Sequence, residues 1–216
     1  MEYKDKFETF KKIVIEENKK FNLTAITSDE AFNEKHFYDS LLPSEYVNFH
    51  NKKVLDIGSG AGFPGIPLSF IFPDSSFTLL ETTNKKCNFL RNVIKDMDLK
   101  NVSVLEKRAE DIKDDERESY DIVVSRAVSD LPILLELAIP YLKIGGILIA
   151  YKGNKCNDEI NRSKNAFKVL NSKVIAIQER KLPVSKENRF NIIIKKEEKT
   201  DKKFPRNFSQ IKKRPL

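Results

Sequence analysis

Between residues 53 and 153, short apolar runs of strand character alternate with stretches whose apolar residues recur at helical spacing. "KVLDIG", "SFTLLE", "VSVLEK", "YDIVVSRA" and "GGILIAYKG" read as strands. "GIPLSFIF", "NKKCNFLRNVIKDM", "LPILLELAIPYL" and "NDEINRSKNAFKVL" read as helices, with only a short or poorly formed one after the third strand. Such alternation requires right-handed crossovers and so predicts an α/β fold, a mostly parallel, doubly wound sheet. The runs "KVIAIQER" and "RFNIIIKK" follow, joined by a link containing Pro183 that is too short for a helix. They predict an antiparallel hairpin, giving a seven-stranded sheet with an antiparallel last strand. Ahead of the sheet, Phe7, Phe10, Val14 and Phe21 lie at helical spacing. "NKKFNLTAITSDEAFNEKHFYDSLL" continues as a loop and second helix, with Ser28 as its N-cap. The expected organisation is an N-terminal helical extension over 1–45, an α/β domain over 46–198 and a basic tail over 199–216. The tail is polar and expected to be ordered only in part.

The turn leaving the first strand, "VLDIGSGAGFPGIP", fixes where a ligand would sit, because open α/β sheets bind at the carboxyl ends of their strands. Gly58, Gly60 and Gly62 leave the backbone thin there, and Pro64 suits a first helical turn. Gly60, Gly62 and Gly65 formally match a dinucleotide fingerprint, with Glu81 where a ribose-binding acid belongs. Asp56, ahead of the first glycine, argues against a pyrophosphate, which a carboxylate would repel. S-adenosylmethionine carries a sulfonium and an α-ammonium, which an acid favours. A nicotinamide-dependent oxidoreductase is the alternative. "RAED" follows the third strand, where the backbone of Ala109 and the side chain of Glu110 could read an adenine amine.

Charge is concentrated rather than spread. The formal net charge is +7, and residues 195 to 216 carry nine Lys/Arg against three Asp/Glu. In "KFPRNFSQIKKRPL", Phe204 and Phe208 interleave with cations, a mixture that suits base stacking and phosphate neutralisation as well as a solubilising tail. Cys87 and Cys156 lack partners at ligand spacing, and His36 and His50 are the only histidines, so no metal is expected. No apolar run reaches the roughly 18 residues that would span a bilayer, and the N-terminus has no apolar signal core. A cytoplasmic protein without a membrane partner is expected. Nothing resembles a coiled coil or a large apolar stripe, so a monomer is expected.

"DIGSGAGFPGIPL", "RAED", "SRAV" and "KG", preceded by "FNLTAIT" and "HFYDSL", resemble the bacterial small-subunit ribosomal RNA methyltransferase G family, also called glucose-inhibited division protein B. The resemblance runs from about Asn18 to the terminal "PRNFSQIKKRPL". It implies a class I (Rossmann-like) methyltransferase fold and N7-methylation of one guanine in 16S rRNA of the small ribosomal subunit, with S-adenosylmethionine as donor. It further implies cofactor contacts at Gly58, Phe63, Glu81, Ala109, Glu110 and Arg126, beside Asp56 and Gly60 of the glycine turn. The family commonly has Asp-Ser and then Gly-Lys-Arg after the second strand, whereas this chain has "ETTNKK"; Glu81 keeps the carboxylate on a longer arm.

Guanine N7 presents a lone pair and carries no proton, so the chemistry needs positioning rather than a general base. That agrees with the scarcity of histidine. Arg126, just past the fourth strand, could bond guanine O6, stack on the ring, touch the cofactor or form a salt bridge at the sheet edge. Lys152, after the fifth strand, reads as a phosphate contact or a solvated lysine. His36, Asp39 and Ser40 either border the substrate cleft or pack and cap a helix. Arg206, Lys212, Lys213 and Arg214 are the expected grips on rRNA phosphates, with Phe204 and Phe208 stacking or packing the tail down.

Overall fold

The computed structural model describes residues 3–216. Its helical start comprises α1 (Tyr3–Asn18), α2 (Asp29–Phe32) and α3 (Asp39–Leu41), with a π-helical turn over Asn33–Tyr38 between the last two and a 3-10 turn over Leu42–Glu45 after them. There follow β1 (Lys53–Ile57), α4 (Gly65–Ile71), β2 (Ser76–Glu81), α5 (Asn84–Asp96), β3 (Val102–Glu106) and β4 (Tyr120–Arg126). The chain continues with α6 (Leu131–Ala138), β5 (Leu142–Lys152), α7 (Cys156–Arg162), α8 (Lys164–Val169), β6 (Ser172–Lys181), β7 (Asn188–Lys196) and α9 (Phe208–Lys213). The sheet order is β3-β2-β1-β4-β5-β7-β6. β7 inserts between β5 and β6 and runs antiparallel to both, so one strand is reversed, as the hairpin reading requires. Only a 3-10 turn, Ala109–Asp111, stands where the helix after β3 looked weak.

Strand alternation explains why both faces of the sheet are covered. In β5, Ile149 and Tyr151 point to one core, while Leu148 and Ala150 point to the other. In β7, Ile193 divides from Ile192 and Ile194 in the same way. The first core is closed by α4, α5 and the N-terminal helices, the second by α6, α7, α8 and the tail. Phe10 and Val14 of α1 are wholly buried in the same core as Val54 of β1. Helix α1 ends at Asn18, so Phe21, expected on its apolar stripe, packs against that core from the following loop. Ser28 occupies the N-cap of α2 in extended conformation but makes no side-chain cap bond.

The tail differs from the sequence expectation. Ile211 of α9 is fully buried and Phe204 nearly so. Glu136, fully buried on α6, accepts from Arg206 Nε at 2.7 Å, from a terminal Arg206 nitrogen at 2.6 Å and from the Arg206 amide. A buried carboxylate needs such a partner, which is why the basic segment folds back onto the domain. Phe204 and Phe208 pack against the second core instead of standing free for bases.

Candidate active site

A cavity of about 750 Å³ opens at the carboxyl ends of β1, β2, β4 and β5, where the strand order reverses. That volume suits a ligand of cofactor size. One wall is backbone. Gly58 has φ +72°, and a Cβ there would collide with Val128 Cγ2. At Gly60 (φ +57°) a Cβ would meet nothing nearer than a backbone oxygen 3.9 Å away, so the chain lies bare against the opening. Glu81, at the end of β2, fastens the turn by accepting from Gly60 N at 3.1 Å. Its other oxygen accepts from the amides of Thr82 (2.8 Å) and Thr83 (2.9 Å). Burial opposes its charge most, but the Thr83 and Thr82 donors together with the nearby Lys86 charge hold the carboxyl below its ordinary range.

The opposite wall comes from the N-terminal helices. His36 stacks on Phe63, ring centroids 4.3 Å apart and 9° between planes. Arg126, at the end of β4, reaches across to this layer. It donates to Lys35 O at 2.8 Å, to Asp39 Oδ2 at 3.1 Å and to His36 Nδ1 at 3.2 Å, with its guanidinium 5.3 Å over the Phe63 ring. Arg189 of β7 lies 3.4 Å from the other Asp39 oxygen. Burial pushes the Asp39 carboxyl up, against the pull of Arg126 and Arg189. Burial, and after it the Arg126 charge, hold His36 down at about 3, so its imidazole is neutral. The π-helical turn places His36 here, in keeping with the frequent use of such turns at functional sites.

Gly58, Gly60, Phe63, Glu81, Arg126 and Lys152 therefore line one cavity, as do His36 and Asp39. Four expectations need correcting. Asp56 is buried and faces α4: its Oδ2 accepts from Gly65 N at 2.9 Å, and burial drives its carboxyl up to about 7. It does not face the opening. Its place still disfavours a pyrophosphate, because it occupies the helix start that such a group would use. Ala109 and Glu110 lie outside the cavity lining: the Ala109 carbonyl is taken by the Tyr141 hydroxyl at 2.9 Å, and Glu110 stands 3.6 Å from Arg108. Lys152 is neither solvated nor a free phosphate contact. Its ammonium is buried between Glu159 (2.6 Å) and Ser129 O (2.7 Å). Arg206, as described, is spent on Glu136. Lys212, Lys213 and Arg214 are exposed and, among the described residues, form no ion pair. Ser40 is buried, its hydroxyl donating to His36 O, so it supports the π-turn from behind.

Sequence reasoning missed Thr24, Lys86, Tyr151, Glu159 and Arg189 in the lining. "FNLTAIT" carried Thr24 only as part of a resemblance, and no periodicity marks Arg189.

Comparisons with known proteins agree with this geometry. A family model described as rRNA small subunit methyltransferase G matches residues 3–189. The ribosomal RNA small subunit methyltransferase G of Mesoplasma florum is 44% identical over 98% of this chain and 89% of its own length. That of Acetivibrio thermocellus is 44% identical over 98% and 88%. In fold, the chain resembles the crystal structure of M. jannaschii TYW2 in complex with AdoMet, with a TM-score of 0.59 at 20% identity, covering 79% of this chain and 76% of that one. The seven-stranded architecture is thus the class I methyltransferase fold, and the chain belongs to the rRNA small subunit methyltransferase G family.

Proposed function

We propose that this chain transfers the methyl group of S-adenosylmethionine to N7 of a guanine in 16S rRNA of the small ribosomal subunit. The observation that carries the reading is the bare Gly58–Gly60 backbone, tied to the Glu81 carboxylate on the wall of a cofactor-sized cavity. The residues present fit such a donor. Glu81 keeps one lone pair, on the oxygen that Gly60 shares, for a ribose hydroxyl, Gly60 admits close approach, and the start of α4 is closed to phosphate by Asp56. S-adenosylmethionine, when bound, supplies an electrophilic methyl group on a sulfonium.

The chain's own residues then have positional work. Both His36 nitrogens are engaged, Nδ1 with Arg126 and Nε2 with Thr24 at 2.8 Å, so His36 does not serve as a base. A guanine N7 requires none. Phe63 is held by a tilted contact with Phe10, a T-shaped one with Phe32 and a stacked one with His36, which keeps the mouth of the cavity rigid. Rigid placement of the reacting atoms is the main source of rate in such a transfer. Of the four expected grips, Lys212, Lys213 and Arg214 are left without an ion pair among the described residues and meet the rRNA phosphates.

The test is mass mapping of 16S rRNA, free or in small subunits, after incubation with the protein and labelled donor. One labelled guanine, with the label at N7, is expected. Micromolar binding of S-adenosylhomocysteine by calorimetry should accompany it. Binding of a nicotinamide dinucleotide instead would overturn the reading.

A further inference from the structure

One hydrogen atom in the cavity has its direction set by a chain of hydrogen bonds that begins on the sheet. Arg126 has donors only. Its contact with His36 Nδ1, 3.2 Å, therefore requires a bare Nδ1. The neutral imidazole then carries its proton on Nε2 and donates it to Thr24 Oγ1 at 2.8 Å. The Ile26 amide donates to the same oxygen at 3.0 Å. Both lone pairs of the Thr24 hydroxyl are thus used. Its own hydrogen finds no acceptor among the described residues, and Thr24 lines the cavity.

We propose that Thr24 is a specificity-determining residue, whose hydroxyl hydrogen is donated to a carbonyl oxygen on the acceptor base beside the reacting nitrogen. The inference rests on the methyltransferase reading above and names what that site recognises. Guanine carries such an oxygen, O6, next to N7. Adenine carries an amine at that place, so two donors would face each other. An unmatched polar group of this kind is what lets a site reject a near-isosteric base. The bond draws electron density from the purine and so does not help the attack. It acts in binding.

The arrangement makes Arg126 and His36 positioning residues for Thr24. Were His36 protonated on Nδ1 instead, the hydroxyl would turn to donate to Nε2 and lose its partner on the base. Two-bond ¹H–¹⁵N spectra should accordingly show His36 bare at Nδ1 and protonated at Nε2 at neutral pH. The opposite tautomer would overturn the proposal.

The functional experiment uses full-length 16S rRNA with guanine or adenine at the mapped target. It measures binding to each in the presence of S-adenosylhomocysteine, and turnover on guanine. Thr24→Val should lower kcat/KM on guanine about 3- to 10-fold, the size of one neutral hydrogen bond, mainly through KM. It should also shrink the guanine-to-adenine ratio of binding constants by a similar factor. Thr24→Ser should restore both. Thr24→Val also orphans the His36 and Ile26 donors, but that loss weakens both RNAs alike and leaves the ratio unmoved. Thr24→Ala, with Tm measured for each variant, serves if Val is poorly tolerated. An unchanged ratio, with wild-type protein methylating N7 normally, would remove the Thr24 assignment alone. Failure of wild type to methylate guanine N7 would remove the underlying function with it.

Discussion

The two walls of the cavity are built from different materials. The wall after β1 is backbone: Gly58 and Gly60 at positive φ, pinned by the Glu81 carboxylate. The wall from the N-terminal segment is side chain: Thr24 of the loop after α1, with His36 and Asp39, held to the sheet through Arg126. The first constrains residue type at each position, because a Cβ would collide or strain the chain. The second constrains partners, because each group is satisfied by another far away in sequence. One wall should therefore fail locally when altered, and the other should fail as a unit.

The largest effect is expected from the link between them. Arg126→Ala leaves the Asp39 carboxylate buried, with only the 3.4 Å contact to Arg189, and removes the donors to Lys35 O and His36. Loss of one partner from a buried pair costs about 3–5 kcal/mol. A fall of that size by denaturant titration is expected, with early exchange of the amides in Asn33–Leu41 and no comparable change in α5. Uniform loosening of both walls would contradict the distinction.

Gly58→Ala is the next in size and tests the backbone wall. The left-handed conformation costs a non-glycine residue roughly 1–2 kcal/mol, before the collision with Val128. Binding of S-adenosylhomocysteine should weaken at least tenfold, with the His36–Phe63 stack intact. Val128→Ala in the same chain removes the collision but not the backbone strain, so it should recover part of the affinity. Full recovery would mean that sterics alone require glycine there, and no recovery would mean that only φ matters.

The same division decides what could be read from the sequence. Strand alternation, the glycine turn, Glu81 and the reversed strand were legible because each leaves a local mark, a period or a residue type. Arg126 was legible as a site residue but its partners were not, since Lys35 and Asp39 lie about 90 positions away. Asp56 was placed correctly beside the turn and given the wrong direction: strand alternation turns it toward α4, the side on which Val54 is also buried. The tail misled for a related reason. Its composition is that of a solvated segment, and only the buried Glu136 on α6, some 70 residues earlier, turns Arg206 into an anchor.

The smallest effect on the wild-type stability curve is a pH dependence to which two buried groups, His36 in the side-chain wall and Asp56 behind the glycine turn, contribute with opposite signs. His36 is held down at about 3 against an ordinary 6.5, so between those values the unfolded chain binds the extra proton. Its contribution to stability therefore rises with pH across that window and is lost as pH falls toward 3. Asp56 is pushed up to about 7 from an ordinary 3.8, so between those values the folded chain holds the extra proton. Its contribution falls as pH rises through that window. From pH 4 to 6.5 the two oppose each other, so the wild-type curve alone does not separate them. Difference curves separate them. Tm of wild type minus Tm of His36→Asn should climb over that range, while wild type minus Asp56→Asn should decline. Parallel curves would show that one of the two groups keeps its charge in the fold, so that burial does not govern both.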